Sequence, residues 1–272
     1  MQEWNRQALL QAPLFAPLQP LIAKLPRDTF PNLDDFNALL KTVNITVQSG
    51  HALSFVPQQT GKPGFESQYE PRCYLSGEVQ TRENNRHDLL NALVWLTFPK
   101  AKAAINARHY QALQAVRDPD TSSQRGAVRD TNTLIDESGV IVACADAELA
   151  RLLRDFQWRE LFWQRRADVQ SRMGFYLFGH GLYEKALQPY IGITGQGIIL
   201  DVAAEFFTWP QAEQLAHLDE KLAQFWSNAE NCRSTRELAP VPLLGVPGWC
   251  AENNAASYYD NTAYFRSGRR SV

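Results

Sequence analysis

The chain has 272 residues, 27 Lys plus Arg against 29 Asp plus Glu, 44% hydrophobic residues, five histidines and four cysteines. At about 150 residues per domain, this length builds one sizeable core without a disulfide framework or a structural metal. The near balance of charge excludes a global field for nucleic acid or an anionic membrane, and no stretch reaches the roughly 20 continuous apolar residues of a membrane helix. The first six residues lack the basic start and apolar core of a signal peptide. Cys73, Cys144, Cys232 and Cys250 form no C-x-x-C, so reduced thiols in a cytoplasmic protein are expected, with Cys144 buried and inert.

Pro13, Pro17, Pro20, Pro26 and Pro31 forbid a long helix and predict a wrapping arm or short turns. Asp34 or Asp35 suits the cap of a brief helix through Lys41, and residues 43–47 and 52–56 alternate like two short strands around Ser49-Gly50. Residues 58–67 read as a loop and 69–75 as a further strand, closed by the turn Ser76-Gly77. Residues 87–98 form a helix that is apolar on most sides, and Pro99 opens a second one to about Val116. After a polar loop at 118–126, residues 133–136 and 140–145 read as a hairpin turning at Glu137-Ser138-Gly139. Asp146 caps a helix to Phe156, and helical character resumes over 158–187, weakened by Gly174, Gly179 and Gly181. Residues 198–202 read as a strand, Pro210 opens a helix to about Asn228, and an irregular tail follows with Trp249, Tyr258, Tyr259, Tyr264 and Phe265 as anchors.

The polar residues of the first long helix, His87, Asp88 and Asn91, fall on a single stripe, which has to meet solvent, an internal network or a ligand. Lys102, Asn106 and His109 share one face of the next helix. A fold at Pro99 would bring His87 toward His109. His180 and Glu184 stand one turn apart among aromatics, and Gly179 and Gly181 let another backbone or a ligand approach closely. A carboxylate one turn from an imidazole fixes its tautomer, which serves a general base or a metal site. Asp136-Glu137-Ser138-Gly139 reads as turn chemistry instead of a pair of working acids. The spacing Gly192, Gly195, Gly197 precedes a strand and is poor phosphate-binding evidence.

Over most of its length the sequence resembles a bacterial family known as domain of unknown function 3025. The resemblance runs through Tyr69-Glu70, Gly77-Glu78-Val79, Thr81-Arg82, the block from His87 to Trp95, Phe98-Pro99, Lys102, Asn106, His109, Arg129-Asp130, Gly179-His180, Glu184 and the stretch from Leu243 to Trp249. The chain departs from that pattern at Arg86, where the family carries a tryptophan. The resemblance implies no activity, substrate or cofactor.

The expected fold is α+β, mainly helical with small β elements, in one compact domain. A proline-rich arm and short strands would occupy residues 1–80, a helical core 81–230 and a wrapping tail 231–272. The first functional expectation is a hydrolase-type enzyme with a pocket of His87, Asp88, Asn91, Asn106, His109, His180 and Glu184. In it His180, oriented by Glu184, is the general base, and Asn91 or Asn106 polarises a small-molecule substrate. A metal-assisted form places zinc or a similar ion on His87, Asp88 and His109. The alternative is a non-enzymatic protein binding a small molecule or a partner, with the same groups as a buried structural network.

Overall fold

The computed structural model describes residues 4–61, 64–116 and 124–268. Short helices α1 (Arg6–Gln11), α2 (Gln19–Ile22) and α3 (Leu33–Leu40) form the arm, with a 3-10 segment at Pro13–Leu18 where the prolines crowd. Asn32, two residues before the expected Asp34 and three before Asp35, caps α3. Its Oδ1 accepts from the backbone N–H groups of Asp34 and Asp35 while the Asp35 carboxylate accepts from the Asn32 backbone N–H.

Strand β1 (Ser54–Pro57), helix α4 (Tyr69–Ser76) and strand β2 (Glu78–Thr81) follow, and the two strands pair in parallel. The expected strand over 69–75 is therefore a helix: Pro71 sits in its first turn, where no intrahelical donor is needed, and Gly77 ends it in the left-handed region. Of the expected strand pair at 43–47 and 52–56, residues 54–56 lie in β1, whose partner is β2, and the first segment keeps only an antiparallel bridge from Thr46 to Ala52. Helices α5 (Arg86–Thr97) and α6 (Pro99–Val116) meet at Pro99 as the sequence predicts. Their corner is held from far along the chain by Asp219, whose carboxylate accepts from the N–H groups of Lys100 at 3.1 Å and Ala101 at 2.8 Å.

The predicted 133–145 hairpin is replaced by helix α7 (Gln124–Ser138) running directly into strand β3 (Gly139–Cys144). Every residue of β3 is buried, as suits an inner strand of a sheet ordered β4-β3-β5-β6 with both faces covered. The expected polar loop at 118–126 falls mostly outside the described residues. After α8 (Ala147–Arg154), capped by Asp146, come a π-helical turn at Glu160–Gln164 and α9 (Arg166–Arg172). The continuous helix expected over 158–187 is broken by strand β4 (Met173–Leu177), antiparallel to β3, since Gly174 weakens a helix and Phe175 and Tyr176 favour a pleated surface. Helix α10 (His180–Ala186), strand β5 (Thr194–Asp201), parallel to β3, and α11 (Gln211–Ser227) complete the core.

The tail supplies edge strand β6 (Ala239–Pro242), a position that tolerates Pro240 and Pro242. Tyr264 anchors it by donating to the Ile193 carbonyl at 2.8 Å. The fold is α+β, helix-dominated, and organised as one compact unit. All four cysteines are free, and burial pushes the Cys144 thiol up. No helix among the described residues is long and apolar enough to cross a membrane.

Candidate functional site

Three local structures converge on one polar cavity. In the first, Asn84 adopts a left-handed φ of 51° and Asn85 caps α5 by accepting from the Asp88 N–H at 2.9 Å, so the chain turns sharply from β2 into α5. Asp88 secures that turn: its carboxylate accepts from the Arg82 backbone N–H at 2.7 Å, from Nε at 2.9 Å and from Nη2 at 2.8 Å. It is thus committed to Arg82, which corrects the expected His87, Asp88, His109 ligand set. His87 stands beside it in the first turn of α5.

In the second, the backbone N–H groups of Phe178 and Gly179 both donate to the Gly139 carbonyl at 2.9 Å, tying the start of α10 to the α7–β3 junction. A Cβ at Gly179 would collide with the backbone nitrogens of Ser138 and Gly139, and one at Gly181 with a Glu137 carboxylate oxygen. What the two glycines admit is therefore the end of α7, carrying Asp136 and Glu137. These acids, read from sequence as a turn, belong to the site.

The geometry at the junction is close. His87 Nε2 lies 2.9 Å from His180 Nε2, and Glu137 Oε1 is 3.7 Å from the first and 3.5 Å from the second. The Nδ1 atom of His87 is 3.0 Å from Glu184 Oε2, so Glu184 orients His87 and not His180 as expected. His180 Nδ1 instead faces Asp136 Oδ2 at 3.7 Å. Asp136 is in turn paired with Lys102, which is only 2% exposed and lies over the Trp95 ring. Burial opposes the Asp136 charge, yet Lys102 and His180 overcome it and hold the carboxyl down at about 2. Burial lowers His180 to about 3 and raises Glu137.

The third structure is the α4–α6 contact. Asn106 Nδ2 donates to the Glu70 carboxylate at 2.5 Å and to the Glu70 carbonyl at 3.1 Å. Burial pushes the Glu70 carboxyl up, with His109 and Lys102 pulling the other way. Asn91 Nδ2 donates to the Tyr69 hydroxyl at 2.7 Å and Trp95 Nε1 does so at 3.4 Å. His87, Asp88, Asn91, His109 and His180 all line the resulting cavity of about 510 Å³, joined there by Tyr69, Glu70, Asp136 and Glu137. Asn106 and Glu184 stand behind this wall, each holding a residue that lines it.

A family model described as "Protein of unknown function (DUF3025)" matches residues 53–269. The chain belongs to this family. The matched span holds every residue of the cavity, while most of the proline-rich arm lies before it. No curated protein and no solved structure matches the chain. Reasoning from sequence missed Glu70, Tyr69, Asp136 and Glu137. The first two carry part of the family resemblance, and the last two lie in the segment misread as a turn.

Proposed function

We propose that this chain is a hydrolase that works with one divalent metal ion held by His87, Glu137 and His180. The observation that carries this reading is the convergence of two imidazole nitrogens and one carboxylate oxygen at 2.9, 3.5 and 3.7 Å. Bonds of about 2.0–2.2 Å in a tetrahedral zinc site place neighbouring ligand atoms about 3.4 Å apart. The tautomers point the same way. Glu184, 3.0 Å from His87 Nδ1, favours a proton there, and Asp136, 3.7 Å from His180 Nδ1 and beyond hydrogen-bond reach, biases the second ring the same way through its charge, which leaves two Nε2 lone pairs facing each other and favours a cation between them. A shared proton would relieve two nitrogens, but the carboxylate of Glu137 completes a set of three suited to a metal.

Such an ion supplies Lewis acidity toward a substrate oxygen and acidifies the water it contacts, from 15.7 to about 7 in the zinc case. The Glu137 and His87 side chains are 42% and 30% exposed, so the set is open on their side, whereas His180 at 6% closes the other. Glu70, in the same cavity with its carboxyl pKa raised, is the proton carrier. Asn91 presents its amide to the substrate. Asn106 positions Glu70.

Metal analysis of protein purified without chelator, followed by zinc titration against a competing dye, tests the ion. About one equivalent is expected in the wild type, and none in His87→Ala or His180→Ala. A wild type that retains no metal and binds none at neutral pH overturns the reading. Release of product from ester, amide or glycoside probes by loaded protein, lost in Glu70→Gln, tests the hydrolase assignment. The alternative, a buried network without catalysis, draws on the Lys102–Asp136 pair and predicts metal-free protein of unchanged stability.

A further inference from the structure

We infer that Tyr69, Asn91 and His109 form a subsite for an uncharged hydrogen-bonding group, so that the substrate of the proposed hydrolase is a neutral hydroxyl- or amide-bearing small molecule. Naming it a substrate rests on the hydrolase reading; the subsite itself rests on other atoms. Asn91 and His109 are 7% and 6% exposed, and both line the cavity. Asn91 Oδ1 and His109 Nε2 are buried with no hydrogen-bond partner among the described residues. A buried polar atom left unpaired is costly, and both residues belong to the cavity wall, where a partner would arrive.

Tyr69 adds the complementary group. Its hydroxyl oxygen accepts from Asn91 Nδ2 and Trp95 Nε1, which occupies both lone pairs and leaves the O–H proton to donate. Burial pushes that phenol well up, so the proton stays in place. A donor from Tyr69 beside an acceptor on Asn91 matches a hydroxyl or an amide, each of which offers and accepts a hydrogen bond.

Apart from the ion proposed on His87, Glu137 and His180, the charges of the cavity wall give an anion little to bind. Arg82 is the only Lys or Arg among the described residues lining the cavity, and its Nε and Nη2 are already engaged by Asp88. Lys102 is paired with Asp136, out of reach behind the wall. The rim adds the neutral amides of Gln58, Gln59 and Gln68. A volume of about 510 Å³ fits a small molecule, within the roughly 300–1,000 Å³ of ordinary ligand pockets.

Saturation-transfer NMR on the full chain with two matched pairs tests this: glucose against glucose 6-phosphate, and N-acetylalanine amide against N-acetylalanine. The neutral member of at least one pair is expected to give the stronger signal. Tyr69→Phe, which removes one oxygen, and Asn91→Leu are each expected to weaken it about 5–10-fold, as loss of one hydrogen bond does, while zinc content stays at the wild-type level. Stronger binding of the charged members, equal binding by wild type and both variants, or no signal from any of the four overturns the subsite. Absence of zinc from the wild type overturns the metal reading instead, and leaves the NMR result to decide the subsite alone.

Discussion

The Nε2 atoms of His87 and His180 face each other at 2.9 Å while the Nδ1 atom of each ring is turned toward a carboxylate, Glu184 for the first and Asp136 for the second. Each carboxylate sits on a different helix from the imidazole it faces, and of the two only Glu184 is within hydrogen-bond distance. If this arrangement holds a metal, the outer carboxylates matter nearly as much as the ligands, because they fix which nitrogen carries the lone pair. Glu184→Gln is therefore expected to lower zinc affinity about 10–100-fold, measured by dye competition at neutral pH. An affinity equal to that of the wild type would show that Glu184 has no hold on the site.

Gly179 and Gly181 separate packing from ligand geometry. An alanine at 179 drives its Cβ into the rigid backbone of Ser138 and Gly139, whereas one at 181 meets first the far end of the Glu137 side chain, with the nearest backbone atom, the Glu137 carbonyl oxygen, at 3.1 Å. Overpacking against backbone costs about 1–3 kcal/mol, so Gly179→Ala is expected to lower unfolding free energy in urea by that amount. Gly181→Ala leaves stability nearly unchanged and displaces Glu137, weakening zinc binding. Equal loss of stability in both variants would contradict this division.

Lys102 and Asp136 form a charge pair almost shut off from solvent. Removing one partner of such a pair strands the other and costs about 3–5 kcal/mol. Lys102→Met is expected to fall in this range by urea denaturation. In the double variant with Asp136→Asn, the stranded charge is gone and part of the stability returns. A double variant no more stable than Lys102→Met would locate the loss in packing around Trp95 instead of in charge.

How much of this was legible in the sequence differs by element. The α5–α6 corner was, because Pro99 and the apolar circumference of α5 leave few alternatives. The convergence of His87 and His180 was suggested only by their polar company, since nothing local says which helices touch. The acids Asp136 and Glu137 were hidden by the run of Thr, Leu and Ile followed by Glu-Ser-Gly, which satisfies hairpin chemistry as well as a helix end. The continuous apolar run of β3 was the countersign, for a strand buried on both faces belongs inside a sheet and not in an exposed hairpin. Glu70 was masked by the β-like aromatics around it, and Pro71, tolerated in a first turn, argued for either outcome.

Asp219 gives a pH test remote from the cavity. Burial raises its carboxyl from 3.8 to about 6, although the Lys100 and Ala101 N–H groups and the Lys100 charge pull it down. The folded state thus binds this proton more tightly than the unfolded state, and holds more protons between those values. Stability from this group is full below about pH 4 and is lost as pH rises through about 6. Two pKa steps correspond to about 3 kcal/mol. Asp219→Asn does not titrate, and its amide oxygen still accepts from one of the two N–H groups. The stability of the wild type minus that of the variant is expected to fall by about 2–3 kcal/mol from pH 4 to pH 7, since titrations elsewhere cancel in the difference. Urea denaturation of both proteins at each whole pH value measures it, and a difference that stays flat would place the Asp219 titration outside this range.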